Sequence, residues 1–144
     1  MVCVLVGTDT WERRWVRYEI ARSVVDGKGL LAVDINSIPH HKTRSVEHRG
    51  INPLAMMGVG AMADGTFRLY EKVLEQRYGR WDFVWRPYQD YRANVPLPNY
   101  LVKPSVGYVV SLDKGARRYD AVADGVWANM AAWLNVAVMD AGRT

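Results

Sequence analysis

The chain has 144 residues, of which 49% are hydrophobic, so it is long and apolar enough to form one domain with its own core. Its only cysteine is Cys3, which excludes an internal disulfide and an all-cysteine zinc site and favours a reducing compartment. The formal net charge of +4 is compatible with anionic partners such as nucleotides, but it is too small to indicate nucleic-acid binding by itself.

The sequence opens with the apolar run 2–6, which is rich in β-branched residues and stops at Gly7. This pattern predicts a strand that is buried on both faces of a parallel sheet and has a neighbouring strand on each side. The run is too short for a secretory signal and lacks its basic leader, and no stretch reaches the roughly 20 apolar residues that cross a bilayer. We therefore expect a cytoplasmic protein without a membrane partner.

A helix is predicted directly after this strand. Residues 8–10 have side chains that cap helices, and Asp9 with Glu12 three residues later resembles a capping box. We expect the helix to run to about Asp26, with an apolar stripe facing the core and three arginines facing water. The stripe is Val16, Ile20 and Val24, and the arginines are Arg13, Arg17 and Arg22.

The apolar run 30–35 predicts a second buried strand, so the chain begins with a βαβ unit. A polar loop is expected over 36–54. We interpret 56–104 as an insertion into a single domain that covers residues 1–144.

Within this insertion, Gly58 and Gly60 indicate a flexible lead-in, and the spacing of apolar residues predicts a helix over 66–78. The rest of the insertion is rich in aromatic residues and prolines.

A third strand is predicted over 106–112, followed by a loop that contains Arg117, Arg118 and Tyr119. Asp124 is expected to cap a last helix, and Gly142 is expected to end it.

These motifs, taken in order, resemble a known family. The segment 4–10 followed by Trp15-Val16-Arg17-Tyr18-Glu19-Ile20 is similar to a strand and helix of the bacterial TIR-like proteins of the Thoeris ThsB type. Later anchors follow in the same order: Asn52-Pro53-Leu54, Tyr119-Asp120, Asp124-Gly125, Trp133 and Ala141-Gly142-Arg143. The resemblance implies an α/β fold, namely a partial flavodoxin-like, TIR-like fold of three layers with a short parallel sheet and an aromatic insertion.

Two departures from the family pattern bear on the fold. Members of the family carry two further strands before the one that opens this chain, and their segment corresponding to 56–104 is shorter. In the flavodoxin-like strand order, the opening strand is then left without its central neighbour and with a row of unpaired backbone groups. Three explanations stay open: a reading frame that starts late, a degenerate fragment, or a chain completed by a partner or by its own insertion.

The resemblance implies that Glu19 is the catalytic carboxylate. Breaking the bond between nicotinamide and ribose builds positive charge on the sugar, which a fixed carboxylate stabilises. The nicotinamide ring is already cationic while it is bound in NAD, so no general acid is needed to expel it. The alternative is an exposed helix glutamate that pairs with Arg22.

Other candidate contacts for NAD are Trp15, as an apolar wall, and Thr8, Asp9 and Thr10, at the end of a parallel strand where α/β sheets bind ligands. The alternatives are core packing for Trp15 and helix capping for residues 8–10.

Two further clusters are weaker candidates. His40, His41 and His48 share one loop with basic residues, but their spacing matches no metal site with a defined geometry, so we expect a solvated loop and no metal. The insertion interleaves cations with aromatic residues, which is typical of nucleic-acid contacts but also of packing against the rest of the fold. The residues are Arg77, Arg80, Arg86 and Arg92 with Trp81, Trp85, Tyr88, Tyr91 and Tyr100.

The resemblance therefore implies an NAD-consuming enzyme of antiphage defence. Such an enzyme hydrolyses NAD or cyclises its ADP-ribose portion into a signal for a separate effector protein, with NAD as substrate and without a cofactor. The alternative is a non-catalytic module that assembles as a homo-oligomer or docks to a partner, or an inactive fragment. Nucleic-acid binding through the insertion is the weakest of the three interpretations.

Overall fold

The computed structural model describes residues 1–142, so Arg143 of the anchors above lies outside the described residues. Within this range the elements are, in chain order, β1 (Val2–Val6), α1 (Arg14–Val25), β2 (Leu30–Asp34), β3 (Met57–Ala61), β4 (Phe67–Arg77), β5 (Arg80–Pro87), β6 (Val109–Ser111), β7 (Arg117–Asp120) and α2 (Val126–Asp140). Neither helix in the described part of the chain is both long and apolar enough to cross a membrane.

A parallel sheet forms the centre of the fold. Its strand order is β1-β2-β7, and each pair runs parallel, which confirms the predicted βαβ start and the α/β class. Side chains of β2 alternate between two apolar clusters, one shared with Ile20 of α1 and the other with Trp133 of α2. The helices therefore cover opposite faces, as in a partial flavodoxin-like fold of three layers.

The third strand of this sheet is not the predicted one. Segment 106–112 supplies only the short β6, which runs antiparallel to β3 in a different sheet, whereas β7 comes from the predicted loop. The prediction was wrong because β7 carries two arginines and an aspartate instead of an apolar run. Arg118 is accommodated there because its guanidinium pairs with the buried Asp34 of β2.

The three strands of the insertion and the following β6 form a second, antiparallel sheet with the order β5-β4-β3-β6. The predicted helix over 66–78 is wrong, because this segment is the strand β4 and pairs with β5 as a long hairpin. Apolar side chains at 67, 70, 73 and 74 have the spacing of a helix, but the segment pairs with β3 on one side and β5 on the other, and Leu69 is its buried member.

The glycines of β3 allow close approach of other groups, so the flexible lead-in predicted there is also wrong. A Cβ added to Gly60 would lie 2.5 Å from the ring of Tyr70, and one added to Gly58 would lie 2.6 Å from the carbonyl oxygen of Val110. Glycine in a strand often marks such a place. Both positions are buried in the middle of the second sheet.

β1 departs from the prediction in two ways. It pairs with β2 alone, and no strand among residues 1–142 lies along its other edge. Leu5 is 53% exposed, so the strand is not buried on both faces. The suggestion that the insertion completes this sheet is wrong, because the insertion pairs with itself and with β6.

Both predicted helix caps are also wrong. A short 3-10 turn at 10–12 precedes α1, and no side chain among the described residues caps the first turn of α1, so Asp9 and Glu12 form no capping box. At α2 the N-cap residue is Gly125, with a φ of 66°, while the Asp124 carboxylate accepts from the backbone N–H of Asp120 at 2.6 Å. The predicted end of α1 near Asp26 is confirmed.

Candidate active site

The outer face of α1 carries the glutamate singled out by the sequence. Ile20 and Val24 point into the core, which turns Trp15 and Glu19 outward. Trp15 is 69% exposed and stacks on Tyr18, with ring centroids 5.5 Å apart and planes 26° from parallel. Residues four apart on a helix are surface neighbours, so Glu19 lies beside this aromatic pair.

The Glu19 carboxylate has no hydrogen bond or ion pair with any residue that the structure describes. The pairing with Arg22 that the alternative included is not formed, because Arg22 Nη2 lies 3.3 Å from Asp26 Oδ1 one turn further on. Core packing of Trp15 is also excluded by its exposure. Glu19 is exposed, so an exposed helix glutamate stays the alternative to a catalytic role, whereas core packing does not account for Trp15.

An open pocket of about 590 Å³ adjoins this face and is lined by Arg14, Trp15, Tyr18 and Asp90. Arg14 and Asp90 form a two-pronged pair: Nε donates to Oδ2 at 3.0 Å and Nη2 donates to Oδ1 at 2.7 Å. The hydrogen bond from Arg14 lowers the pKa of the Asp90 carboxyl, so the pair is ionised at neutral pH. The pocket thus combines two aromatic rings with an ion pair, and Glu19 lies outside its lining, one helical turn beyond Trp15.

Arg17 connects α1 to the insertion. The prediction that its side chain faces water was wrong. Its side chain is only 13% exposed. Its Nε donates to the carbonyl of Trp11, and its Nη1 donates to the carbonyl of Lys72 and lies 3.4 Å from Glu71 Oε2. These contacts fix the start of α1 against β4.

Thr8, Asp9 and Thr10 lie at the carboxyl end of β1, and none of them lines the pocket beside Trp15 and Tyr18. The Thr8 hydroxyl is within hydrogen-bonding distance of the His48 carbonyl and Glu47. The Thr10 hydroxyl accepts from the Gly7 N–H at 2.7 Å. These contacts shape the loops, and a role of the three residues in binding NAD stays a prediction.

The histidine loop closes over the ends of β1 and β2. His40 and His41 lie ring against ring, with centroids 4.6 Å apart, and border an open pocket of about 520 Å³. No group of three or more His, Cys, Asp or Glu side chains within residues 1–142 is placed to hold a metal ion. The loop is anchored because Arg49 Nη2 donates to Asp34 Oδ2 at 3.1 Å.

The cations of the insertion are engaged with protein groups. Arg86 pairs with Glu75, Arg80 with Asp82, and Arg77 lies 4.0 Å from Glu75. Among the aromatic residues, Tyr88 is only 2% exposed. The ion pairs neutralise these arginines, which does not favour a surface for nucleic acid, but Trp81 is 66% exposed, so packing accounts for only part of this cluster.

The ion pair between Arg14 and Asp90 was not predicted from the sequence, and no sequence signal indicates that these two residues are close in space. They are 76 residues apart, and Asp90 lies in the segment whose fold was predicted wrongly. Tyr18 was part of the recognised motif but was not singled out. Its place could have been anticipated, because it lies three residues after Trp15 on the same helix face.

Comparison with known proteins gives two results. Residues 1–39 match the family described as "Thoeris protein ThsB, TIR-like domain". Over 136 residues the chain is 33% identical to a Bacillus cereus (strain MSX-D12) protein named "Putative cyclic ADP-D-ribose synthase ThsB1". That match covers 94% of this chain and 66% of the length of the relative.

Proposed function

Since this chain belongs to the TIR-like family of Thoeris ThsB proteins, we propose that it is an NAD-consuming enzyme of bacterial antiphage defence whose catalytic carboxylate is Glu19. The observation that carries this proposal is the unpaired Glu19 carboxylate beside the stacked rings of Trp15 and Tyr18. The name of the Bacillus cereus relative supports the same class of chemistry.

The reaction breaks the bond between the ribose C1′ and the nicotinamide nitrogen. The electron pair of this bond stays on nicotinamide, which leaves neutral, while positive charge develops on the sugar. Glu19 stabilises that charge, and a fixed carboxylate does so without any reorganisation at the moment of reaction. Trp15 and Tyr18 provide flat apolar surfaces for the substrate ring and keep water away from one side of the carboxylate.

The second step decides the product. Attack of water on C1′, with loss of its proton, gives ADP-ribose. Attack by a nucleophilic atom of the same ADP-ribose unit gives a cyclic product, which would serve as the signal to a separate effector protein. We propose cyclisation as the physiological outcome, because the relative is named for a cyclic product.

The test is nicotinamide release by the purified chain, followed by chromatography. Glu19→Gln keeps the size of the side chain but removes its charge, and it should lower kcat on the order of 100-fold with a small change in KM. Asp64→Asn is the matched control, because it also removes one carboxylate charge but lies in the exposed turn between β3 and β4. No release by the wild-type protein, or equal release by both variants, would reject catalysis by Glu19.

A non-catalytic assembly module is the second candidate, favoured by the open edge of β1 and the half-exposed Leu5. Sedimentation velocity separates the two functions. Oligomers that form without any nicotinamide release would support the module, whereas a monomer that cleaves NAD would support the enzyme.

A further inference from the structure

The antiparallel sheet ends on one side at β5, the outer strand of the order β5-β4-β3-β6. No strand among residues 1–142 pairs with the outer edge of β5. This strand has eight residues, whereas β1, the edge strand of the parallel sheet, has five. A long edge strand presents a row of unpaired N–H and C=O groups, which is a template for pairing with another strand.

The geometry of the hairpin determines which backbone groups of β5 face outward. Its two-residue loop is closed by Arg77 and Arg80, which lie opposite each other in the register. In such a hairpin the closing pair exchanges hydrogen bonds, and hydrogen-bonded and non-hydrogen-bonded pairs then alternate. The bond from the Tyr88 N–H to the Leu69 carbonyl at 3.0 Å continues this alternation. The N–H and C=O groups of residues 81, 83 and 85 therefore point away from β4 and can pair with a further strand.

Within the hairpin, the Asp82 carboxylate faces another carboxylate. Asp82 lies directly opposite Glu75 in the register of β4 and β5, a position in which like charges destabilise a sheet. Glu75 is engaged by Arg86, whose Nε and Nη2 donate to its two oxygens at 2.7 and 2.6 Å, and this pair does not use Nη1 of Arg86. Among the described residues, Asp82 has one ion pair, at 3.5 Å from Arg80, and its side chain is 46% exposed. A further cation beside Asp82 would therefore stabilise this strand.

A second copy of the chain supplies that cation in one register of pairing. Two antiparallel β5 strands related by a two-fold axis at Val84 place Asp82 of each copy opposite Arg86 of the other. An axis at Phe83 would place Arg80 opposite Arg86, and an axis at Asp82 would place two aspartates together. An axis one residue beyond Val84 pairs no opposite charges. Charge complementarity therefore selects the axis at Val84.

The same register also suits the aromatic side chains of β5. Phe83 of one copy lies opposite Trp85 of the other, and cross-strand aromatic pairs stabilise a sheet. Trp81 lies opposite Pro87, which has no N–H and therefore ends the new ladder. Trp81 is 66% exposed and Phe83 is 41% exposed, so both have apolar surface that this pairing would remove from water.

We propose that β5 is a homodimer interface, in which two copies of this chain pair antiparallel about a two-fold axis at Val84. Their second sheets then form one continuous sheet with four strands from each copy. Every contact occurs twice, because the same strand serves both copies. The interface is independent of the proposed function, since it includes neither Glu19 nor the pocket beside Trp15 and Tyr18.

The test is sedimentation equilibrium over a range of protein concentrations. Asp82→Arg and Arg86→Asp should each weaken dimerisation about tenfold or more, because like charges then meet at both symmetric positions. The double variant restores opposite charges across the axis and should regain most of the affinity. Asp64→Arg is the matched control, because it makes the same change of charge in the exposed turn between β3 and β4.

A cysteine at the axis gives a second measurement that does not depend on charge. Residue 84 would face its own copy in a non-hydrogen-bonded pair, where the Cα atoms lie about 4.5 Å apart and a disulfide can form. Val84→Cys, in a Cys3→Ala background, should therefore cross-link two copies on oxidation. Tyr78→Cys in the same background is the control, because the hairpin tip is fully exposed but its two copies would lie about 40 Å apart.

Three results would overturn the proposal. The first is a wild type that stays monomeric at every concentration, and the second is a dimer that both single charge variants leave unchanged. The third is cross-linking of Val84→Cys that does not exceed that of Tyr78→Cys. Circular dichroism checks that each variant is folded. Loss of the dimer in the single variants, its return in the double variant and selective cross-linking at residue 84 would support this interface.

Discussion

Asp34 is the residue on which the carboxyl ends of the parallel strands converge. Its side chain is 1% exposed, and it accepts from Arg118 Nε at 2.7 Å and Nη2 at 2.8 Å. Arg49 approaches the same carboxylate from the histidine loop. One buried charge thus connects β2, β7 and the loop that covers them, and the attraction offsets the cost of removing the carboxylate from water.

Asp34→Asn should lower the free energy of unfolding by about 3 kcal/mol, because two guanidinium groups lose their buried partner. Urea denaturation followed by circular dichroism measures the change. Asp82→Asn breaks the exposed pair with Arg80 on the hairpin and should cost below about 1 kcal/mol. Equal losses in the two variants would contradict a special role for the buried carboxylate.

At the scale of elements, the sequence predicts β1, α1 and β2 because each has a regular apolar pattern and a glycine close to one of its two boundaries. It fails at β7, where a buried ion pair replaces apolar residues, and at β3, where glycines make room for a neighbouring ring. In the candidate site, the spacing of Trp15 and Glu19 on one helix is predictable, but the approach of Asp90 depends on the whole insertion.

The β4–β5 hairpin is closed by Tyr78 and Gly79, which both have positive φ, at 49° and 80°. This backbone is that of a two-residue type I′ turn, which favours Asn-Gly. Tyrosine has a Cβ that disfavours the left-handed region, and Tyr78 is fully exposed, so no packing offsets the strain.

Tyr78→Asn should therefore raise the free energy of unfolding by about 1 kcal/mol, since asparagine tolerates the left-handed conformation better. Thermal or urea unfolding provides the measurement. Tyr108→Asn makes the same replacement at another exposed tyrosine, 71% accessible, whose φ is not positive. A gain at both positions, or at neither, would show that turn strain is not the cause.

At the scale of the whole molecule, the two sheets share one apolar core. The cluster that contains Val4 and Leu30 of the parallel sheet also contains Val59 and Leu69 of the antiparallel sheet. Ile20 of α1 belongs to the same cluster and is fully buried. The insertion is therefore part of the core and not an appendage to it.

Ile20→Ala should lower the free energy of unfolding by about 3 kcal/mol and destabilise both sheets together. Tryptophan fluorescence, which includes Trp81 and Trp85 of the hairpin, and far-UV circular dichroism should report one common urea transition. Leu5→Ala shortens a side chain that is 53% exposed and should have a much smaller effect. Two separate transitions would mean that the sheets fold independently.

No strand among the described residues pairs with the outer edge of β1, and this affects how the fold tolerates change. A strand that pairs along Val2–Val6 would be recognised through main-chain N–H and C=O groups, which every residue except proline presents alike. The sequence of such a strand could diverge widely without loss of strand pairing. The two requirements are that it contains no proline and that the residue in contact with Leu5 remains apolar. Pairing at this edge could then be retained in related proteins after their sequence similarity in the paired strand had been lost.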